Sequence, residues 1–236
     1  MNRKILLLQS RGKENEAISK IEARIIFDGV SLEGDIIDIK NTITDDLSKL
    51  DISGYSHVIM PGSNLNISEG ELGWFNDIKR IIKDCDQNNI PFLGICFGSQ
   101  FLAYTYGAKI KKNKKKMEMG AEKIKSFNTK GTFFEFLPET FMANLIHMDF
   151  IYDLSKEFIN LGSSKKCPNQ ILIHKSKPLF GVQFHPEHGK KSVKEYLGVY
   201  ENLDEYFNKS EYQKIMDAMI DHDKKIKSII PRFLEI

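Results

Sequence analysis

The segment that most constrains the fold is a cysteine between two glycines, in the stretch Gly94–Gln100, GICFGSQ. An apolar run over residues 90–93 precedes it, and a segment of helical character, Phe101–Tyr106, follows it. A nucleophile between glycines at a strand-to-helix turn is typical of a nucleophile elbow, because small residues let the backbone turn sharply and leave the nucleophile at the edge of a sheet. The positive end of the following helix would lie beside the sulfur of Cys96. Since glycine and cysteine are also common in buried turns, this stretch alone leaves both interpretations open.

A second segment, Gly181–Glu187, favours the catalytic interpretation, because an apolar strand there ends in His185, Pro186 and Glu187. A catalytic cysteine needs a histidine to take and return a proton, and that histidine needs a third group to fix its tautomer. The large separation of Cys96 from His185 in sequence is immaterial, since such partners meet in space. Cys96, His185 and Glu187 are therefore the predicted catalytic triad.

His188 follows His185 by three residues, which raises the alternative of a metal pair. However, Pro186 prevents a regular helix from starting earlier, and no third ligand is evident near these histidines in the sequence. Zinc sites use three or four ligands. No metal and no cofactor are therefore expected.

The lysine-rich run Lys111–Lys116 invites a nucleic-acid interpretation. The run contains no interleaved aromatic or arginine side chain that would stack on bases or read them. A solvated loop is therefore favoured, and no nucleic acid is expected as a partner. The alternative is that the run docks an acidic partner or a phosphorylated substrate.

The two segments GICFGSQ and GVQFHPE together resemble the Cys-His-Glu signature of class I glutamine amidotransferases. Further segments agree with this family, in the right order, over about residues 4–188. They resemble a strand that ends in a Pro-Gly oxyanion loop, an E-x-G element, an H-G-D element, and a hairpin of stand-alone members related to the glutaminase part of GMP synthase. These segments are Val58–Ser63, Lys116–Gly120, His147–Asp149 and Ser163–Gln170.

The resemblance implies a mechanism in which Cys96 attacks the γ-carboxamide of glutamine. His185 would protonate the leaving ammonia and then activate water, while Glu187 would orient His185. The implied oxyanion donors are the backbone amides of Phe97 and of the loop Gly62 and Ser63, and the implied substrate-binding residues are Gln100, His147, Met148 and Asp149. Two alternatives stay open: Gln100 could be an exposed helix residue, and His147 a buried core histidine.

Two departures from the family pattern bear on the substrate. Ile146 stands where many relatives have a small polar residue, and Met148 replaces the glycine of the H-G-D element. Ser63 replaces the second glycine of a Gly-Gly oxyanion loop. The bulkier side chains would reshape the pocket or require a partner to set the loop, so the thiol mechanism is better supported than free glutamine as substrate.

Nothing after Glu187 resembles the phosphate loop of an ATP pyrophosphatase region. The leading expectation is therefore a glutaminase that gives glutamate and passes ammonia to a separate synthase subunit. The alternative is a γ-glutamyl hydrolase that cleaves a γ-glutamyl amide or peptide with the same triad. A binding or chaperone-like protein on the same fold is disfavoured because all three triad residues are present.

The distribution of apolar runs predicts an α/β fold. Strands and helices alternate in the first half, which favours βαβ units and a parallel sheet, and residues 109–184 are β-rich. We expect a flavodoxin-like three-layer sandwich, with a mainly parallel central sheet flanked by helices, a β-rich second half and a helical C-terminal tail. Residues 1–189 would form the amidotransferase domain, and residues 190–236 a helical extension packed on it. Its helices would span 191–207 and 211–230, with Ser210 as a cap and Pro231 marking the end.

Composition sets the remaining limits. The 236 residues suffice for one sizeable core, and a net charge of +2 implies no strong attraction to nucleic acid or membrane. No apolar run approaches the roughly 20 residues that cross a bilayer, and Met1–Gln9 is interpreted as a strand. The three cysteines, Cys85, Cys96 and Cys167, form no disulfide-framework pattern, so a cytoplasmic location is expected.

Overall fold

The structure, a computed structural model, describes residues 2–12, 16–113, 117–198 and 208–236. Its helices and strands are, in chain order, β1 (Lys4–Gln9), α1 (Glu16–Ile26), β2 (Ile36–Asn41), β3 (His57–Met60), a 3-10 helix (Ile67–Glu69), α2 (Phe75–Asn88), β4 (Phe92–Ile95), α3 (Phe97–Thr105), β5 (Lys109–Lys112), β6 (Glu118–Ser126), β7 (Thr140–His147), β8 (Asp149–Asp153), β9 (Phe158–Ser163), β10 (Ile171–His174), β11 (Leu179–Val182), α4 (Lys190–Gly198), α5 (Lys209–Ala218), α6 (Lys224–Lys227) and α7 (Ile229–Phe233).

Nine of these strands form one sheet, in the order β2-β1-β3-β4-β11-β10-β9-β6-β7. The first five strands of that order pair in parallel, and the remaining pairs are antiparallel. Strands β5 and β8 form a separate two-stranded sheet. The parallel half coincides with the alternating part of the sequence, apart from β11, which the β-rich half contributes. The carboxyl ends of β3, β4 and β11 therefore meet at one edge.

Both faces of the parallel strands β1, β3, β4 and β11 are buried, as their nearly continuous apolar sequences require, whereas the edge strand β2 is partly exposed. Leu6 and Leu8 of β1 point into a cluster with α2 and α3, whereas Ile5 and Leu7 point into a cluster on the other face with Ile26 of α1. The alternation follows from the two-residue period of a strand. Helices thus cover the sheet on both sides, and the predicted three-layer fold is confirmed.

The C-terminal tail is helical, but the prediction of one helix over 211–230 is wrong. Helix α5 ends at Ala218, and a new helix begins at Lys224 because the side chain of Asp223 caps it. The cap of α5 is Asn208, which forms a capping box with Glu211, instead of Ser210. Pro231 lies inside α7 in its first turn, where its missing N–H costs no helical hydrogen bond. Of the predicted helix 191–207, the structure describes α4, and residues 199–207 lie outside the described residues.

The last two helices pack on the central sheet. Ile226, Ile229 and Phe233 are fully buried and belong to the same apolar cluster as Ile5 and Leu7 of β1. The boundary between residues 189 and 190 stays a prediction. Among the described residues, no helix combines the length and apolar character that a membrane crossing requires.

Candidate active site

Cys96 sits in a strained turn between β4 and α3. Its backbone has φ 51° and ψ −106°, a conformation that residues with a side chain rarely adopt and that occurs at functional sites. The two flanking glycines are required by close packing. A Cβ atom on Gly98 would stand 1.9 Å from the carbonyl oxygen of Met60, and one on Gly94 would stand 2.5 Å from the backbone of Gly98. The predicted nucleophile elbow is therefore the observed local structure.

The sheet brings the two sequence motifs together. Strands β4 and β11 are parallel neighbours, with Ile95 opposite Val182, and the Cys96 amide donates to the Val182 carbonyl at 2.8 Å. The chains that leave these strands therefore emerge side by side. A Cβ atom on Gly62 would lie 2.9 Å from Cε1 of His185 and 3.6 Å from Cβ of Cys96. The side chains of Cys96 and His185 therefore both lie next to Gly62.

The third predicted triad member is also in place. Nδ1 of His185 lies 2.7 Å from Oε1 of Glu187, and both side chains are buried. Nε2 of His185 is buried and makes no hydrogen bond within the described part of the chain. Since Nδ1 faces the carboxylate, Nε2 is the atom left to exchange a proton with a thiol.

Electrostatics favour an ion-paired site. Burial disfavours a charged imidazole, but the negative charges of Glu187 and Cys96 outweigh it and raise the pKa of His185 well above its ordinary value. Burial likewise opposes ionisation of Glu187, but the charge of His185 and its hydrogen bond lower the pKa of that carboxyl to about 2. The residues therefore suit a protonated histidine paired with the Glu187 carboxylate.

The loop after β3, which carries the predicted oxyanion donors, is anchored by hydrogen bonds to residues that follow β1. The guanidinium of Arg11 donates to the Gly62 carbonyl at 3.0 Å and pairs with Glu22 at 2.6 Å, and both charged side chains are buried. The hydroxyl of Ser63 donates to the Ser10 carbonyl at 2.8 Å. None of these bonds uses the backbone N–H of Ser63.

The second predicted oxyanion donor is the Phe97 amide. Phe97 is the first residue of α3, and the first amides of a helix have no partner within the helix. This amide is therefore suited to a developing negative charge next to Cys96.

A buried amide network surrounds the sulfur. Nε2 of Gln183 lies 3.5 Å from Sγ of Cys96, and Nε2 of Gln100 donates to Oε1 of Gln183 at 3.1 Å and to the Asp149 carbonyl at 2.7 Å. Gln100 is 2% exposed, so the alternative of an exposed helix residue is wrong. Gln183 was not predicted as a site residue, although it stands in the segment that carries His185.

A cavity of about 450 Å³ opens over Cys96. Its wall includes all four residues predicted to bind substrate and both residues of the predicted oxyanion loop. Apolar side chains cover much of the remaining wall: Leu65, Met117, Met119, Ile146, Tyr196 and Leu197. Glu69 and Lys112 also line it and form an exposed ion pair with 2.6 Å between Oε1 and Nζ.

His147 and Asp149 are buried in the cavity wall. Nδ1 of His147 lies 3.0 Å from the Asp149 carbonyl, and Nε2 lies 3.3 Å from Oε2 of Glu118. Burial lowers the pKa of His147 to about 4 and raises that of Glu118, so a neutral pair is favoured. The carboxylate of Asp149 accepts from the amide and the hydroxyl of Ser68, at 2.8 and 2.6 Å, and thereby anchors the 3-10 helix.

His185, Glu187 and His188 present atoms able to ligate a metal within 4.8 Å of one another. The sequence indicates no third ligand near the two histidines, whereas the structure shows that Glu187 is within reach. Its Oε1 atom already accepts the hydrogen bond from His185, which is the arrangement of a triad. The absence of a bound metal stays a prediction.

Fold and site together define a cysteine-dependent hydrolase on a mainly parallel sheet, and comparison with known proteins gives the family. The family model for Glutamine amidotransferase class-I matches residues 16–197, and the chain belongs to this family. It is a cysteine-dependent amidohydrolase, as its sequence predicts.

Among curated relatives, one subunit of the glutamine-hydrolysing GMP synthase of Thermoplasma volcanium is 35% identical over 145 residues, which cover 61% of this chain and 69% of that protein. The corresponding protein of Picrophilus torridus is 32% identical over 164 residues, covering 67% of this chain and 82% of that protein. A crystal structure of a glutamine amidotransferase from Thermotoga maritima superposes with a TM-score of 0.78, at 23% identity, over 100% of this chain and 98% of that one.

Proposed function

We propose that this chain is the glutaminase component of a two-subunit synthase of the GMP synthase type. It would release ammonia from glutamine at Cys96 and pass it to a separate subunit that carries the acceptor. The similarity to subunits of glutamine-hydrolysing GMP synthases supports this assignment. The observation that carries the catalytic part is the position of Gly62, whose missing Cβ lies within 3.6 Å of Cβ of Cys96 and 2.9 Å of Cε1 of His185.

The proposed reaction begins when Sγ of Cys96 attacks the carbonyl carbon of the γ-carboxamide of glutamine. The bond to nitrogen breaks, the proton on His185 Nε2 passes to the leaving ammonia, and a γ-glutamyl thioester remains. His185 then takes a proton from water, the resulting hydroxide attacks the thioester carbon, and the bond from that carbon to Sγ of Cys96 breaks, which releases glutamate and restores the cysteine. The amides of Phe97 and Ser63 would stabilise the oxyanion in both steps, and loss of one such donor typically costs about 100- to 1,000-fold in rate.

Among the described residues of the cavity wall, one pair of opposite charges suits the charged end of the substrate. The carboxylate of Asp149 already holds Ser68, and burial lowers the pKa of His147 to about 4, which favours its neutral form. Glu69 and Lys112 offer one charge of each sign at the wall, and the two side chains are 57% and 45% exposed. We propose that they meet the α-ammonium and α-carboxylate of glutamine, together with backbone groups of the predicted segment His147–Asp149.

A second function, γ-glutamyl hydrolysis, is favoured by the cavity itself. A volume of about 450 Å³ lies in the range of roughly 300–1,000 Å³ that pockets for drug-sized ligands occupy. Met117, Ile146 and Leu197 would contact an apolar group on the leaving nitrogen. Ammonia would make no use of this apolar wall.

Steady-state assays of glutamate release separate the two functions. Glutamine and a series of γ-glutamyl amides with increasingly large apolar amines would be compared, with and without the synthase subunit from the same source. The proposed function predicts that kcat/KM is highest for glutamine and rises when the synthase subunit is added. A preference of tenfold or more for the apolar amides, unaffected by the subunit, would establish the second function instead.

Two further expectations belong to this proposal. The partners are a small γ-glutamyl substrate and an acceptor subunit, without nucleic acid or membrane. A cytoplasmic site of action is proposed on the basis of cysteine usage, since Cys85, Cys96 and Cys167 are all free and buried.

A further inference from the structure

Three consecutive residues between α5 and α6 lie directly against the loop that carries the catalytic histidine. These residues, Ile220, Asp221 and His222, form a clamp. They lie outside the segment 16–197 that matches the family. Each of them makes at least one hydrogen bond to β7 or to the start of α4.

The clamp reaches the histidine loop through Asn144 on β7, a fully buried residue. The side-chain amide of Asn144 bonds to both backbone groups of Ile220: Nδ2 donates to its carbonyl at 2.8 Å, and Oδ1 accepts from its amide at 3.1 Å. The backbone N–H of Asn144 donates to Nε2 of His222 at 3.0 Å. Asn144 is thus fixed by the clamp on two sides.

The remaining bonds of Asn144 go to the catalytic loop. Its carbonyl accepts from the backbone amide of His185 at 3.0 Å, and its Nδ2 donates to the carbonyl of His188 at 2.7 Å. One asparagine therefore holds both ends of the segment that contains His185 and Glu187. Displacement of Asn144 would shift the imidazole relative to Cys96.

Asp221 holds the next part of the loop. Its Oδ1 atom accepts from the backbone amide of Lys190, the first residue of α4, at 3.0 Å. A Cβ atom on Gly189 would stand 2.5 Å from the same oxygen, so the loop and the clamp are in direct contact. An acidic side chain at a helix N-terminus is stabilising, and here it also fixes where the catalytic loop ends.

We propose that the clamp positions His185 for proton transfer, so that the C-terminal extension is a working part of the active site. This inference rests on the proposed role of Cys96 and His185 and goes beyond it, since it assigns Asn144, Asp221 and His222 as positioning residues. His222 must present an unprotonated Nε2 to accept the Asn144 N–H. Burial of His222 lowers its pKa, which favours this neutral form.

The test compares two substitutions of His222 in the full chain. His222→Leu removes the acceptor, whereas His222→Gln retains one. We expect His222→Leu to lower kcat by about 10- to 100-fold with KM within twofold, because a small misplacement of a catalytic group has effects of this size. In His222→Gln, the decrease in log kcat relative to wild type is expected to be at most half of the decrease in His222→Leu.

Alkylation of Cys96 by iodoacetamide as a function of pH gives a readout that does not depend on the substrate. If His185 is displaced, the pH profile of alkylation shifts, even if glutamine is not the natural substrate. Ile229→Val serves as the control, because it trims a buried apolar residue of the C-terminal helices outside the clamp. It is expected to lower stability while kcat and the alkylation profile stay unchanged.

Asp221→Ala provides a second variant in case His222→Leu does not fold. It removes the contact to Lys190 and is expected to lower kcat at least fivefold with KM within twofold. A folded His222→Leu or Asp221→Ala protein with wild-type kcat and a wild-type alkylation profile would overturn the proposal. Equal losses in His222→Leu and His222→Gln would also overturn the role of the hydrogen bond. If neither Cys96 alkylation nor turnover depends on His185 itself, the proposed mechanism fails rather than the clamp.

Discussion

Replacement of Gly62 by alanine probes the contact on which the catalytic assignment depends. Gly62 is not among the glycines with positive φ, so alanine introduces no backbone strain at this position. Its methyl group would lie 2.9 Å from Cε1 of His185, whereas ordinary contacts begin at 3.4 Å. The imidazole or the loop must therefore move, and a shift of about 0.5 Å restores an ordinary contact. The ring has little freedom, because Nδ1 is held 2.7 Å from Glu187.

A displacement of this size at the proton-transfer atom is expected to lower kcat by about 10- to 100-fold, or about 1.4–2.7 kcal/mol in the barrier. KM is expected to stay within threefold, because the methyl group points at the histidine and not at the charged rim of the cavity. The assay is steady-state glutamate release, with thermal unfolding to show that the variant is folded. Gly54→Ala is the control, since a Cβ there contacts nothing within 4 Å. A folded Gly62→Ala enzyme with kcat within twofold of wild type would refute the close approach of the loop to His185.

Three further predictions concern charge, packing and substrate. Glu187→Gln removes the anion that raises the pKa of His185, so the imidazolium loses its proton at a lower pH. In the pH profile of Cys96 alkylation by iodoacetamide, the change in rate that accompanies loss of this proton should therefore move to lower pH. An unchanged position, or a shift to higher pH, would contradict the ion pair. Phe233→Ala empties a fully buried site and should lower the free energy of unfolding by about 3–5 kcal/mol in urea titrations; a loss under 1 kcal/mol would mean that α7 does not pack on the sheet. Lys112→Gln should raise KM for glutamine at least fivefold, with kcat within twofold of wild type. The control is Lys109→Gln, which breaks an exposed ion pair on the same strand away from the cavity and should leave KM and kcat unchanged. Equal effects of the two variants would reject Lys112 as a substrate contact.

The elbow and the parallel sheet were predictable from sequence because local requirements determine them. Close backbone packing excludes side chains at Gly94 and Gly98, and the apolar runs that flank Cys96 can only be buried as a central strand and a helix. The position of His185 was predictable for a similar reason, because β11 ends beside β4 at the same edge of the sheet. In each case a short segment and one sheet edge contain the needed information.

The support beneath the site could not be predicted, because it depends on contacts between distant segments. Arg11 follows β1 at the sheet edge that carries the active site. Its contacts with Glu22 and with the Gly62 carbonyl, however, depend on where α1 packs, which the sequence does not reveal. The break after Ala218 depends on Asn144, which lies far earlier in the chain and holds the backbone of Ile220 in place of helical hydrogen bonds. Helix propensity alone favours a continuous helix through this region.

Covalent trapping of the nucleophile tests the central claim most directly. The protein would be incubated with a diazoketone analogue of glutamine, and the modified residue located by peptide mass spectrometry, with excess glutamine as competitor and His185→Ala as control. We predict stoichiometric modification at Cys96, protection by glutamine and at least a tenfold slower reaction in the control. Modification at Cys85 or Cys167 instead, or a rate at Cys96 that is independent of His185, would contradict the proposed catalytic role of these two residues.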